Sequence, residues 1–385
     1  MKIAFLTTDN REQRAEYDTH QPFFGPAPAA ILAGLKLYPN DVEVHVISCS
    51  KRKMNTPEQL APNVWFHQPI VPYLGWGRTA FSGCALAVRK LLREIKPDLV
   101  HGQGTERDCA ISAVYSGFPN VLTIHGNMQK IQRMKLLGAP AYYWLASTLE
   151  THALKRTNGV FCNSIHTRSL VENRTRKTWL VPNPLRPAFF APQKSERKRN
   201  PIPVFLTIGV VTPLKRSLEI LETASRLAQR GYRFQIRFIG ASGTEDPYGA
   251  SFAHAIEKGR EAGYADYLGV LEEDELIQTL DAADACIHFP EEEAFGLVVA
   301  EALSRGLQFF GANVGGIRDI ANGIDGAELY DDFPSLENGI ARWLEGSTPL
   351  PAHAAETINS RYHPKVVGAQ HLEIYREVLA GRRQR

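Results

Sequence analysis

The chain has 385 residues, too many for one ordinary hydrophobic core and enough for two domains. A formal net charge of +3 with 44% hydrophobic residues describes an ordinary globular protein and excludes a strongly basic nucleic-acid binder. The cysteines Cys49, Cys84, Cys109, Cys162 and Cys286 are odd in number, widely spaced and without a C-x-x-C pair, which argues against a disulfide framework and a zinc site and for a reducing compartment.

Met1 to Thr7 reads as a strand that turns polar by Asp9, so no secretory leader is expected. No apolar run reaches the ~18 residues that span a bilayer, and the expected location is the cytoplasm. Up to about residue 185 the chain alternates short β-rich runs with helical patterns. Strands are expected at Lys2–Thr7, Val42–Ser48, Asp98–His101, Asn120–His125, Gly159–Asn163 and Thr178–Pro182, and helices at Pro28–Leu37, Ala80–Ile95 and Tyr142–Arg156. This alternation implies a parallel sheet covered on both faces, with ligands at the carboxyl ends of its strands. Three such ends stand out. Gly25 follows the first polar loop and either lets backbone approach a ligand or simply precedes a helix. His101 reads as a satisfied core histidine, whereas His125, beside Gly126, is as well placed for function as for structure. In the segment Gln129–Leu145, Lys130, Arg133 and Lys135 precede an apolar, aromatic stretch, a pattern suited either to peripheral contact with an anionic membrane or to solvated lysines beside a core helix.

Pro184 to Pro203 is rich in proline, carries the basic run Gln193–Asn200 and lacks periodicity, so it reads as a solvated linker. Beyond it, Val204–Gly209 is a buried strand, followed by a loop with Lys215 and Arg216 and a helix from Ser217. A glycine, a short loop with a lysine and a helix start make a phosphate site, although a lone surface lysine is more often only solvated. Further strands are expected at Phe234–Ile239, Tyr267–Val270, Asp284–Phe289 and Gln308–Phe310, with a helix at Glu273–Ala282 and a last helix at Val366–Leu379. No strand leads into an intact G-x-G-x-x-G, which disfavours a nicotinamide dehydrogenase, and no G-K-S/T phosphate loop occurs.

The stretch His288 to Leu303 concentrates the chemistry. A strand end passes through the acidic turn Glu291–Glu293 and Gly296 into a helix bearing Glu301. Unpaired N–H groups at such a helix start attract an anion. Glu293 precedes this point and Glu301 lies beyond it, about 7 Å along the axis at ~1.5 Å per residue. A diphosphate flanked by two hydroxylated groups, as in a nucleotide sugar, fits between them. A solvated acidic turn is the plain alternative.

Glu293-Ala294-Phe295-Gly296-Leu297-Val298-Val299-Ala300-Glu301 resembles the Glu, seven residues, Glu hallmark of the retaining glycosyltransferases of family 4, which have the two-Rossmann (GT-B) fold. The resemblance extends through Gly315-Gly316, Asp281-Ala282-Ala283-Asp284 and Gly209 to Lys215, and more loosely through Lys96–His101, Thr123–Gly126 and Val181–Asn183. It implies an acceptor-binding domain over 1–185, a nucleotide-sugar-binding domain over 186–363 and a C-terminal helix over 364–385 that packs back on the first domain. It also implies roles. Glu293 would hold donor-sugar hydroxyls, and the backbone of Phe295, Gly296, Leu297 and Val298 would bind sugar and phosphate. Glu301 would bind the ribose, Lys215 would neutralise the leaving diphosphate, and His125 would reach the donor sugar; Gly25 and Arg216 complete the expected donor site.

Three departures stand out. Val210 occupies the place of a usual arginine, Gly25-Pro26 replaces a Gly-Gly pair, and Asp319 replaces a glutamate. The implied activity is transfer of a hexose-type sugar from a nucleoside diphosphate sugar, UDP- or GDP-linked, to a hydroxyl of a glycan, lipid-linked or small acceptor, with retention, no metal and no other cofactor. A nucleotide-sugar epimerase and a non-catalytic nucleotide-sugar binder are the alternatives. Domain closure about the linker would assemble the site.

Overall fold

The computed structural model describes residues 1–14, 16–136, 139–193, 199–243, 246–346, 351 and 353–383. The chain forms two compact units, one of Met1–Arg186 with Tyr362–Arg385 and one of Pro187–Arg361.

The first unit contains β1 (Lys2–Leu6), β2 (Glu43–Ile47), β3 (Gln59–Ala61), β4 (Val64–His67), β5 (Leu99–Gln103), β6 (Asn120–Ile124), β7 (Val160–Cys162) and β8 (Thr178–Leu180). They pair in the order β3-β4-β2-β1-β5-β6-β7-β8, parallel except for the β3–β4 edge. Alternation along β1 explains the layering. Ile3 and Phe5 enter a core with Ile31, Leu35 and Tyr375, while Ala4 and Leu6 enter another with Val88, Leu92 and Ala110. The helix Ser82–Ile95 buries Cys84, Ala85, Val88 and Leu92, one face at helical spacing. The short strands β3 and β4 add to the strands expected from sequence; β3 forms the edge of the sheet, β4 pairs with β2, and Pro62 lies between the two.

The last helix, Pro364–Arg383, belongs to this unit. It crosses the helix Pro26–Lys36 with backbone against backbone: a Cβ added at Gly34 would lie 2.5 Å from the Pro364 carbonyl oxygen, and one at Gly368 would lie 2.9 Å from Gly34. Tyr375 reaches through to His101, with 2.6 Å between its hydroxyl and Nδ1, while Nε2 of the same ring lies 2.7 Å from Thr123 Oγ1. Burial, with His371 and His125 nearby, holds His101 well below the usual imidazole range, so this ring is a neutral, doubly bonded core group.

The second unit contains β9 (Val204–Ile208), β10 (Gln235–Ile239), β11 (Ala265–Gly269), β12 (Ala285–His288), β13 (Gln308–Ala312) and β14 (Ala327–Tyr330) in the parallel order β11-β10-β9-β12-β13-β14. Its core gathers Phe205, Phe238, Ile287, Phe310 and Trp343. The segment expected to be a solvated linker is instead anchored to this unit. Phe189 is fully buried, Arg305 donates to the carbonyls of Phe189 and Ala191, and Arg199 lies 4.0 Å from the centre of the Trp343 ring. Asn200 is held by both carboxylate oxygens of Asp284. Arginine on an aromatic face and amide on carboxylate fix a chain that proline and charge alone describe as loose. Lys194 to Lys198 of the basic run lie outside the described residues.

Candidate active site

In the second unit the strand order reverses about β9, whose neighbours are β10 and β12. The carboxyl ends of β9 and β12 therefore flank the crevice where such sheets bind ligands. The loop after β9 carries Lys215 and Arg216, and the loop after β12 carries Glu291 to Gly296. The Glu291 N–H donates to the Leu214 carbonyl at 2.9 Å, stitching the two loops together.

Lys215 Nζ lies 2.5 Å from Glu293 Oε2, and His288 Nε2, at the end of β12, lies 2.9 Å from the same oxygen. Both bonds fall on Oε2. Burial raises the Glu293 carboxyl, but the Lys215 ammonium and the His288 hydrogen bond outweigh it and hold the group well below the ordinary carboxylate range. Burial, reinforced by the Lys215 charge, lowers His288 despite Glu293, so its ring is neutral and donates through Nε2. The result is an ionised carboxylate of fixed orientation beside a cation. His288 is not singled out as a site residue by sequence; the available signal is a histidine at a strand end five positions before Glu293.

The loop is held from behind by Gly315-Gly316. Gly316 N–H donates to the Glu293 carbonyl at 2.9 Å, and a Cβ on Gly315, at φ +50°, would lie 2.0 Å from that same oxygen. Only glycine allows this approach. Gly296, at φ +101°, then opens the helix Leu297–Ser304. Helix geometry leaves the N–H groups of Leu297 and Val298, at the start of this helix, without intrahelical carbonyl partners. Phe295 is buried under this turn, and Glu301 is buried one turn along the helix.

Arg216, at φ +54°, precedes the helix Ser217–Gln229, forms an ion pair with Glu291 and lies over the Phe333 ring. Val210 is an exposed aliphatic side chain. Asp281 and Asp284 serve structure: Asp281 takes a forked bond from Arg305, and Asp284 receives the Val204 N–H at the start of β9. Asp319 lies in the short helix Ile317–Ala321.

In the first unit, His125 follows β6, and its Nε2 lies 3.1 Å from Gln103 Oε1 at the end of β5. Burial lowers its pKa to about 4, so the ring is neutral at physiological pH. Gly25 caps the helix Pro26–Lys36 at φ −58°, a conformation open to any residue. Lys130 and Arg133 lie on the helix Met128–Met134, Lys135 ends it, and Trp144 nearby in sequence is exposed. Folding also assembles what cysteine spacing hides. Ligand atoms of Cys49, Cys84 and Asp108 lie within 4.8 Å of one another, among the described residues the one group able to hold a metal ion. The bonded Cys84 thiol, burial and Asp108 raise Cys49 well above the ordinary thiol range, which keeps the Cys49 thiol protonated. No described helix is long and apolar enough to cross a membrane.

Comparison with known proteins agrees with this architecture. Residues 36–189 match the family Glycosyltransferase Family 4, and residues 190–360 match Glycosyl transferases group 1. A sulfoquinovosyl transferase of Arabidopsis thaliana is 33% identical over 118 residues, 31% of this chain and 21% of that protein, so the match spans about a fifth of the relative. Sucrose-phosphate synthase from Thermosynechococcus elongatus superposes with a TM-score of 0.77 at 17% identity, covering 99% of this chain and 100% of that one. Anabaena HepE in complex with UDP and glucose superposes with a TM-score of 0.68 at 18% identity, covering 97% and 99%. At such identities the superpositions speak to the fold, two Rossmann-like domains of the GT-B type. The chain belongs to the group 1 glycosyltransferases of family 4.

Proposed function

We propose that the protein transfers a hexose-type sugar from a nucleoside diphosphate sugar to an acceptor hydroxyl with retention of anomeric configuration. The observation that carries this reading is the arrangement of Lys215, His288 and Glu293 at the start of the helix Leu297–Ser304. An ammonium and two open N–H groups suit a diphosphate, and the remaining carboxylate oxygen suits sugar hydroxyls. Glu301, one turn along, suits the ribose.

In the reaction the bond from the anomeric carbon to the phosphate oxygen breaks, and a bond from that carbon to the acceptor oxygen forms on the same face. The acceptor proton passes to the departing phosphate oxygen. Lys215 and the helix start stabilise the charge that develops there, fixed in place before the reaction begins. Because these groups supply the positive charge, the reaction is proposed to need no metal, and EDTA should leave turnover unchanged. The likeness to a protein crystallised with UDP and glucose makes a uridine donor the first choice.

Thermal protection by UDP-, GDP- and ADP-linked sugars, followed by acceptor-dependent release of the nucleoside diphosphate, tests the reading. Protection by none of them would end it. Release in the absence of any acceptor dependence would point to hydrolysis. A peripheral membrane contact through Lys130, Arg133 and Lys135 is part of the proposal; neutralising all three should abolish sedimentation with anionic liposomes, and unchanged sedimentation would remove that part.

A further inference from the structure

We propose that Cys49, Cys84 and Asp108 bind a structural zinc ion that ties three segments of the first unit together. Such an ion serves the fold of that unit and takes no part in the sugar transfer proposed above.

The three ligand atoms come from separate elements and lie within 4.8 Å of one another. Cys49 follows β2 by two residues, Cys84 stands in the first turn of the helix Ser82–Ile95, and Asp108 opens the helix Asp108–Val114. A zinc tetrahedron with Zn–S of about 2.3 Å and Zn–O of about 2.0–2.2 Å has edges of about 3.5–3.8 Å. The set therefore has to contract by at most about 1 Å, which small rotations of three side chains supply. A further donor adjoins it. The turn Tyr73–Gly75 presses onto the start of the helix Ser82–Ile95, where a Cβ on Gly83 would lie 2.4 Å from the Gly75 Cα. This close packing holds the Gly75 carbonyl oxygen 3.7 Å from Cys84 Sγ, the length of one edge of such a tetrahedron.

Donor chemistry selects the metal. Magnesium and calcium take oxygen ligands, whereas two sulfurs beside a carboxylate suit a borderline divalent ion such as zinc. Asp108 is 7% exposed, and the hydrogen-bond partner of its carboxylate from another side chain is the Cys49 thiol. A thiol is a weak donor, and a buried carboxylate without strong donors is costly, so a cation between the carboxylate and the sulfurs removes a cost that the side chains alone leave. The ion displaces one proton from each thiol, and both protons pass to solvent. A doubly charged cation with two thiolates and one carboxylate leaves a single negative charge, which the Arg107 guanidinium, already acting on Asp108, offsets. Cys84 is fully buried and Cys49 is 7% exposed, the closed surroundings of a structural site. The ion therefore enters as the three segments converge during folding and is retained once they have closed.

Full-length protein expressed in medium supplemented with zinc(II), or with cobalt(II) as a spectroscopic probe, tests the site. After purification with a thiol reductant and dialysis against EDTA, one equivalent of metal should remain. The cobalt form should show thiolate-to-metal charge transfer in the near ultraviolet, and X-ray absorption of the zinc form should count two sulfur neighbours at about 2.3 Å. Cys84→Ser and Asp108→Asn should each weaken metal binding about tenfold or more, since even groups that only support a ligand are worth that much. Protein that retains no metal and shows no charge transfer overturns the proposal. Retained metal with a sulfur count other than two, or with charge transfer unchanged in both variants, places the ion elsewhere and overturns it equally. If either variant fails to fold, the sulfur count of the wild-type protein decides.

Discussion

Replacing Lys215 by methionine keeps an apolar stem beside Gly209 and removes the ammonium bonded to Glu293. Two losses follow, and they can be separated. Glu293 has 16% of its side chain exposed and Lys215 has 26%, so the pair is largely but not wholly shielded. Removing one partner of a fully buried pair costs about 3–5 kcal/mol, and surface pairs contribute about 0–1 kcal/mol. A partly shielded pair places Lys215→Met at about 1–3 kcal/mol of stability. The chemical loss is larger, because a preorganised charge at the leaving group is worth about 2.7–4 kcal/mol, or roughly 10²–10³ in turnover. The double variant Lys215→Met with Glu293→Gln removes the orphaned charge, so stability should return to within about 1 kcal/mol of wild type while turnover stays low. Urea unfolding and release of nucleoside diphosphate, with the donor that protects wild type best, measure the two quantities. A folded Lys215→Met protein within about tenfold of wild-type turnover would refute the reasoning, whatever its stability.

Gly315→Ala should lower donor affinity by about tenfold or more, because its Cβ would displace the Glu293 carbonyl 2.0 Å away; Gly323→Ala, at φ +72° with nothing within 4 Å, controls for backbone strain alone in calorimetric titrations. Acid should weaken the first unit through His371, whose pKa burial lowers to about 4 from an unfolded value of about 6.5. A depressed histidine contributes stability that is complete above about pH 6.5 and lost as pH falls towards 4, about 3 kcal/mol in all, so His371→Phe should flatten this limb in urea melts at pH 7.5 and 4.5. Tyr375→Phe should cost about 1–3 kcal/mol by leaving a ring nitrogen of His101 unpaired, with nucleotide-sugar binding unchanged in the same preparation.

What could be read in the sequence depended on how far apart the deciding groups lie. The β1 run Ile3-Ala4-Phe5-Leu6 is apolar at every position because both sheet faces are covered, and that is visible without a structure. The helix Pro247–Glu261 is obscured by Gly249 and Gly259, which break its apolar pattern; Gly259 is needed where Ala265 packs against it. Glu293 and Glu301 announce themselves because their spacing is local. The contact of Lys215 with Glu293 spans 78 positions and follows from parallel strands β9 and β12 lying side by side. The same reason hides Cys49, Cys84 and Asp108, three segments that meet only when β2 and two helices converge. Arg199 reads as a solvated charge until the Trp343 ring is placed under it.

The order in which the ribosome releases the chain gives the Pro364–Arg383 helix a further importance. The first sheet is synthesised early, yet Val367, Leu372 and Tyr375 of its core arrive last. Residues 187–361 separate the two deliveries, on the order of 10–35 s of elongation at ~5–20 residues per second. Throughout that interval the surface around Ile31, Leu35 and Phe161 lacks its cover and is open to chaperones or to aggregation. A chain ending at Arg361 would therefore carry a finished second unit attached to a first unit that never closes.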